Sequence, residues 1–223
     1  MISTTLYLAA AEESADPWHV LGNPYAPRLA IAALADLGLT RRLSVAPGAM
    51  AQSPATRLLE VLPGPPPPGV LRAALAAMVS TGERRDVDRV VHLLGDLSPA
   101  IAADLVASGE LVVRGQTGRW RKRPVLAAVP EARVQAQSRI RSAAGSPAPA
   151  DRALALVASA GMPAQRLARL CGGLLPAHHD PFERFDPASP AADGRPLGDK
   201  AADLLTTLIT VLAATQDTTN DFE

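Results

Sequence analysis

Aromatic side chains are nearly absent: two Trp, two Tyr and three Phe stand among 223 residues. Sheet-built cores draw on aromatic and β-branched residues, so this scarcity argues against a sandwich or barrel, and the 43 alanines point to closely packed small-residue helices. A single cysteine, Cys171, excludes an intramolecular disulfide framework and any cysteine-cluster zinc or iron–sulfur site. Surplus charge is missing as well. Twenty-two basic residues balance twenty-two acidic ones, which argues against a dedicated nucleic-acid binder. No Walker-type or dinucleotide glycine pattern occurs, and neither a cofactor nor a metal is expected. The longest strongly apolar run, 204–214, is about half of what a spanning helix needs. Residues 1–13 lack the cationic start of a secretory leader. The expectation is a cytoplasmic protein without a spanning segment, still able to lie on the inner face of a membrane.

What is present reads as mainly α with one β-hairpin, taken as a single domain over residues 1–223. Residues 6–11 form a short apolar run, either an edge strand or a first helical turn. Residues 16–27 hold three prolines and read as loop, and a helix fits 28–37 with Gly38 as its stop. One or two helical turns are expected within 52–62. The run Pro63-Gly64-Pro65-Pro66-Pro67-Pro68-Gly69 is an extended connector, since consecutive prolines neither continue a helix nor donate to a ladder. Helices follow at 70–80 and 83–94. The next, 98–109, has the clearest punctuation: Ser98 as N-cap, Pro99 at the first helical position and Gly109 past the end. Residues 110–114 and 119–129 read as paired strands about a turn at 115–118. Further helices fit 130–143, 151–160, 163–171 and 199–214, with 172–198 mostly loop and 215–223 a frayed polar tail.

Charge is polarised along the chain. Between residues 114 and 142, eight Arg or Lys face one acid, Glu131, whereas residues 176–223 hold nine acids against three bases. A neutral chain so divided either presents a basic face to an anionic partner or neutralises one segment with the other. Arg119, Trp120, Arg121, Lys122 and Arg123 fall near the hairpin tip, and an indole among cations suits a lipid headgroup layer. The same residues also suit a solvated turn. A helix before a basic wing would serve DNA, but 98–109 offers an acid, Asp104, and no cation to a groove, so no nucleic-acid partner is expected.

Two further polar groups suit a small-molecule pocket. His178 and His179, with Asp180, Glu183 and Asp186, form the densest titratable cluster, although adjacent histidines match no zinc spacing. Trp18, His19 and Tyr25 form a polar–aromatic loop cluster. No catalytic residue is assigned. Cys171 follows Leu167 and Leu170 and reads as core, and His92, among Val90, Val91 and Leu93, reads as structural.

Three stretches carry a family likeness. They are 31–45 (a small-residue helix ending in a Leu/Arg/Gly-rich turn), Leu105-Val106-Ala107-Ser108-Gly109-Glu110-Leu111 leading into the hairpin, and Asp151-Arg152-Ala153-Leu154-Ala155-Leu156. In this order, closed by an Ala/Leu/Val helix, the chain resembles the Golgi phosphoprotein 3-like family over roughly residues 4–215, as a bacterial member, a source its twenty Arg against two Lys suggest. The resemblance implies a helical bundle with a projecting hairpin. It also implies docking on membranes, which eukaryotic members achieve by reading phosphatidylinositol 4-phosphate while carrying enzyme cargo. Their headgroup pocket takes a Trp and an Arg near the first helix, to which Trp18 and Arg28 fall nearest, and basic residues on the helix before the hairpin. Residues 95–107 contain no Arg or Lys, and Ser98 stands near one of those positions. The functional expectation is a peripheral membrane-associated, non-enzymatic protein that binds anionic phospholipid headgroups, with the hairpin also available for homo-oligomer contacts. The alternative is a soluble bacterial biosynthetic enzyme or small-molecule-binding protein that reuses this fold.

Overall fold

The buried centre is one alanine-rich helix that meets neighbours on nearly every side. A computed structural model describes residues 1–11, 26–47, 53–80, 85–117, 123–160, 167–168, 180, 183–191 and 193–220. Among them are eight α-helices: α1 (Ile2–Ala10), α2 (Ala26–Leu39), α3 (Gly69–Ser80), α4 (Val87–Leu94), α5 (Ser98–Ala107), α6 (Pro130–Ala143), α7 (Pro149–Ser159) and α8 (Asp199–Asn220). Two antiparallel two-stranded sheets complete the set, β1 (Leu43–Val45) with β2 (Leu59–Val61), and β3 (Leu111–Thr117) with β4 (Arg123–Ala128). The fold is mainly α.

Helix α2 packs against α1, α3, α4, α7, α8 and β1. Ala30, Ala32, Ala33 and Ala35 are fully buried on it beside Leu29, Ile31, Leu34 and Leu37, and a helix apolar on all sides belongs in a core. Its small residues let neighbours approach closely. Gly38 is the sharpest case: a Cβ there would lie 2.7 Å from Leu204 Cδ2 on α8. Gly38 therefore sits inside the helix at a helix–helix contact, where the sequence pattern made it a stop. The termination comes three residues later, where Arg41 takes a left-handed conformation (φ 56°) and Arg42 N–H donates to the Leu37 carbonyl.

Polar groups buried beside this core are tied over long sequence distances. The first turn of α1 has no local side-chain cap. Its orphan donors are instead taken by Asp36 on α2: Ile2 N–H donates to Oδ1 at 2.8 Å, and Ser3 N–H and Ser3 Oγ donate to Oδ2 at 3.1 and 2.8 Å. Asp104 on α5 accepts from Val70 N–H, at 2.5 Å, at the start of α3. Gly69 makes room for it, because its φ of 52° disfavours any side chain and a Cβ there would strike the Asp104 carboxylate. Arg57 Nη1 joins the 3₁₀ turn Pro54–Thr56 to α8, donating to Thr207 Oγ1 at 2.7 Å and Asp203 Oδ1 at 3.3 Å. The connector bends at Gly64 and Pro65, and Gly69, expected within it, already opens α3; the Pro65 carbonyl accepts from Arg42 Nη1 and the Pro67 carbonyl from Arg72 Nε.

Several local expectations shift. Residues 2–10 are helix, and Ala26 and Pro27 already belong to α2 rather than to the preceding loop. Residues 59–61 form a strand instead of continuing helical turns, because Leu43, Ser44 and Val45 offer a partner to Val61, Glu60 and Leu59. Helix α4 begins at Val87 with Asp86 as its cap, Oδ1 accepting from Arg89 N–H at 2.9 Å. Ser98 does not cap α5: its own N–H goes to Asp96 Oδ1 at 2.9 Å and its hydroxyl is buried. Strand β3 continues through the expected turn to Thr117. Helix α8 continues to Asn220, beyond the apolar pattern that ends at Ala214. The helix expected at 163–171, including Cys171, lies almost wholly outside the described residues.

Asp36→Ala leaves two backbone donors and a hydroxyl unmatched in the interior, so the unfolding free energy should fall by about 2–3 kcal/mol, read from the denaturant midpoint. Burial raises the Asp36 carboxyl above its ordinary value, opposed by the bonds from Ile2 and Ser3 and by the Met1 ammonium. The folded protein then holds this proton between the unfolded and folded values, and the group's contribution to stability is greatest below the unfolded value and declines as pH rises through the folded one. Relative to Asp36→Asn, the wild type should gain stability as pH drops through the folded value, in denaturation curves taken from pH 7 to pH 4 or thereabouts.

Candidate functional site

The hairpin leaves the body with its base in the core. Leu111, Leu126, Ala127 and Ala128 are buried, and exposure climbs along β3 from Leu111 at 1% to Val113 at 57%. The strands pair from Leu111 opposite Ala128 to Thr117 opposite Arg123, with a bulge between Val113 and Gly115. Such an extra residue sharpens twist and bends the ribbon. Arg114, the bulged residue, is exposed. Arg123 opens β4, while Arg119, Trp120, Arg121 and Lys122 lie outside the described residues, between the two paired strand ends.

Immediately after β4 comes α6, which packs on α1 and α7 through Ala136, Ile140 and Ala143. Arg133, Gln137 and Arg141 recur every four residues and share one flank of the helix. Arg139, on the other flank, donates to Thr5 Oγ1 at 3.3 Å, and Arg141 Nη2 donates to Ser138 Oγ at 3.1 Å. None of Arg114, Arg133, Arg139 and Arg141 joins an ion pair among the described residues. The acids of the C-terminal segment find partners elsewhere. Glu183 meets Arg152 at 3.1 Å, Asp203 meets Arg57 at 3.3 Å and Asp193 meets Arg41 at 3.9 Å. Neutralisation of the basic segment by the acidic one is absent from these pairs.

Arg28, one of the expected headgroup residues, is 8% exposed. It stands in the first turn of α2, and its Nη2 donates to the Ala160 carbonyl at the end of α7, 2.5 Å away. Burial lowers its guanidinium to about 10. A cation at a helix C-terminus also meets the negative end of the helix dipole. Its visible task is therefore to join α2 to α7. Trp18, His19 and Tyr25, expected beside it, lie outside the described residues, as do His178 and His179.

The acids near those histidines are engaged in structure. Arg152 donates from Nη2 to the Glu183 carbonyl at 2.8 Å and from Nη1 to the Arg184 carbonyl at 3.0 Å, and its guanidinium carbon lies 4.6 Å from the Phe185 ring centre. Asp186 Oδ1 accepts from Ala188 N–H at 2.9 Å within its own turn. Sequence reasoning marked Arg152 only as part of a family-like stretch, because partners 31 or more residues away leave no local signal. His92, read as structural, is exposed in the last turn of α4.

One open cleft of about 300 Å³ lies where α2, β1 and the start of α8 meet. Leu43, Leu62 and Leu197 supply apolar wall, and Arg41, Asp199 and Lys200 supply charge. Among the described residues, no group of three or more His, Cys, Asp or Glu gathers as metal ligands. No single described helix is long and apolar enough to cross a membrane. The pair α4 and α5, bent by 60°, passes by length and composition, but Val87, Val90, Ile101 and Leu105 on it are buried in the protein core.

A family model described as Golgi phosphoprotein 3 (GPP34) matches residues 2–193, from the start of α1 through the hairpin into the loop before α8. No curated protein matches the chain.

Arg28→Met should loosen the junction of α2 with α7. The expected outcome is a stability loss of about 1–3 kcal/mol with faster hydrogen exchange in the last turn of α7, measured by mass spectrometry without any lipid present.

Proposed function

Because the chain belongs to the Golgi phosphoprotein 3 family, we propose that it is a peripheral membrane-associated protein that binds anionic lipid headgroups through the far end of the β3–β4 hairpin and the adjoining helix α6. The observation that carries this reading is charge left over. Of eight basic residues between 114 and 142, the four with described side chains enter no ion pair among the described residues. Arg114 lies on β3 toward the hairpin's far end, Arg133, Arg139 and Arg141 lie on the helix that follows its base, and the sequence between the paired strand ends adds Trp120 among further cations. An indole settles at the membrane interface, and each Arg or Lys near an anionic surface contributes about 1 kcal/mol. Arg119, Arg121, Lys122 and Arg123 together supply about 4 kcal/mol, which gives marginal and reversible docking. Arg133 and Arg141 on the α6 flank add a second contact, and a homo-oligomer through the hairpin would double the first. On this reading the protein resides in the cytoplasm and works at the inner face of the membrane.

The headgroup chemistry is charge-driven rather than selective. The helix before the hairpin, α5, carries no cation, and Asp104 on it is committed to Val70 N–H. Phosphatidylinositol 4-phosphate would then be held as one anionic lipid among others. A second reading, a small-molecule-binding protein or an enzyme, is favoured by the cleft of about 300 Å³ with Arg41 and Lys200 at its rim. A small molecule retained in native mass spectra would select it.

Co-sedimentation with liposomes of graded anionic content is the deciding measurement. Binding should rise with the anionic fraction, fall as salt screens the surface, and drop about fivefold or more in the double variant Trp120→Ala, Arg121→Ala. Binding indifferent to lipid charge, or unchanged in that variant, would overturn the reading.

A further inference from the structure

The run at 63–69 does more than join β2 to α3. Pro65, Pro66 and Pro67 each have a fixed φ and each precede another proline, which confines them to the polyproline II conformation. That helix repeats every three residues with about 3.1 Å of rise per residue, so its three edges are addressed separately. One edge turns inward: Pro67 is buried, and Gly64 lies against Arg42, whose guanidinium a Cβ there would approach to 2.9 Å. The other two edges carry Pro66 on one and Pro65 with Pro68, about 9 Å apart, on the other. Pro65, Pro66 and Pro68 are all exposed.

The run is held in place from below. Arg42, itself 9% exposed, donates to the Pro65 carbonyl, and Arg72 Nε donates to the Pro67 carbonyl at 3.2 Å. The Pro66 carbonyl receives no donor among the described residues. Polyproline ligands normally gain affinity because little conformational freedom is lost on binding, and here two arginines remove most of what remains. Arg72 is exposed one turn into α3 and joins no ion pair among the described residues, so a cation stands at the end of the ridge.

We infer that the Pro65–Pro68 ridge, flanked by Arg72, is a docking surface for a partner protein that reads polyproline II with an aromatic-lined groove bearing an acidic rim. Tyr and Trp rings of such a groove pack on the exposed pyrrolidines, a Trp or Tyr donor reaches the Pro66 carbonyl, and the acid pairs with Arg72. This surface lies apart from the hairpin and does not depend on lipid binding.

The test titrates the full chain into two probes, an isolated SH3 domain and an isolated WW domain, each with 5-fluorotryptophan in its groove, observed by ¹⁹F NMR. The groove resonance should shift saturably and return when a decaproline peptide is added. Pro66→Ala should weaken binding about tenfold, and Arg72→Gln, which removes the rim cation together with its bond to the Pro67 carbonyl but leaves the four prolines and the Arg42 contact, about threefold or more for an acid-rimmed groove. Thermal melts of both variants should match the wild type, since neither side chain is buried. Absence of a shift with both probes, or a shift unaltered by Pro66→Ala in a folded variant, would overturn the inference.

Discussion

The Asp36 carboxylate holds the start of one helix from the middle of another, and much of the packing follows from that constraint. Helix α1 brings Ile2, Leu6, Tyr7 and Leu8 into the core, yet its first turn has donors with no local acceptor. Burying those donors unpaired would cost more than the apolar contacts nearby return. Asp36 resolves this by reaching the Ile2 and Ser3 N–H groups from α2, which fixes α1 against α2 in one register. Helix α6, the basic one, rests on α1. The placement of the cationic flank is thus inherited from an acidic side chain nearly a hundred residues earlier.

A core of alanines has less surface to bury per residue than one of leucines and phenylalanines, and long arginines make up part of the difference. Arg28 joins α2 to α7, Arg42 holds the proline run, Arg57 reaches α8, and Arg152 holds residues 183–185 with two carbonyl bonds, an ion pair and a stacked ring. Each ends on a backbone carbonyl or on a hydroxyl and an acid from a distant element. These are the arginines outside 114–142. Among the described residues, those inside that segment make no comparable link to the body beyond Arg139 with Thr5.

Local chemistry made several elements legible. Proline at the first turn and Gly109 past the last frame α5, the Gly-flanked strands frame the hairpin, and Pro130 opens α6 within the expected bounds. Misplaced boundaries share a cause: a residue was read for its intrinsic preference where a distant group decided its role. Gly38 looked like a stop, yet Leu204 makes it a contact. Ser98 looked like a cap, yet it lies within α5 with its own N–H donating to Asp96 Oδ1. Residues 59–61 looked helical, yet an unpaired β1 recruited them.

Composition and periodicity alone determined that this protein is mainly α with a hairpin, that its core is made of small residues, and that basic and acidic residues are segregated along the chain. Those properties depend on neighbours a few positions apart, and a linear pattern records them. Tertiary structure alone decided that Arg28 faces inward to a carbonyl, that Asp193, Asp203 and Glu183 of the acidic segment pair with Arg41, Arg57 and Arg152, and that the proline run turns one edge to the body and two to solvent. Charge pairing and burial depend on distances through space, and no spacing in the sequence encodes which of twenty arginines a given carboxylate will meet.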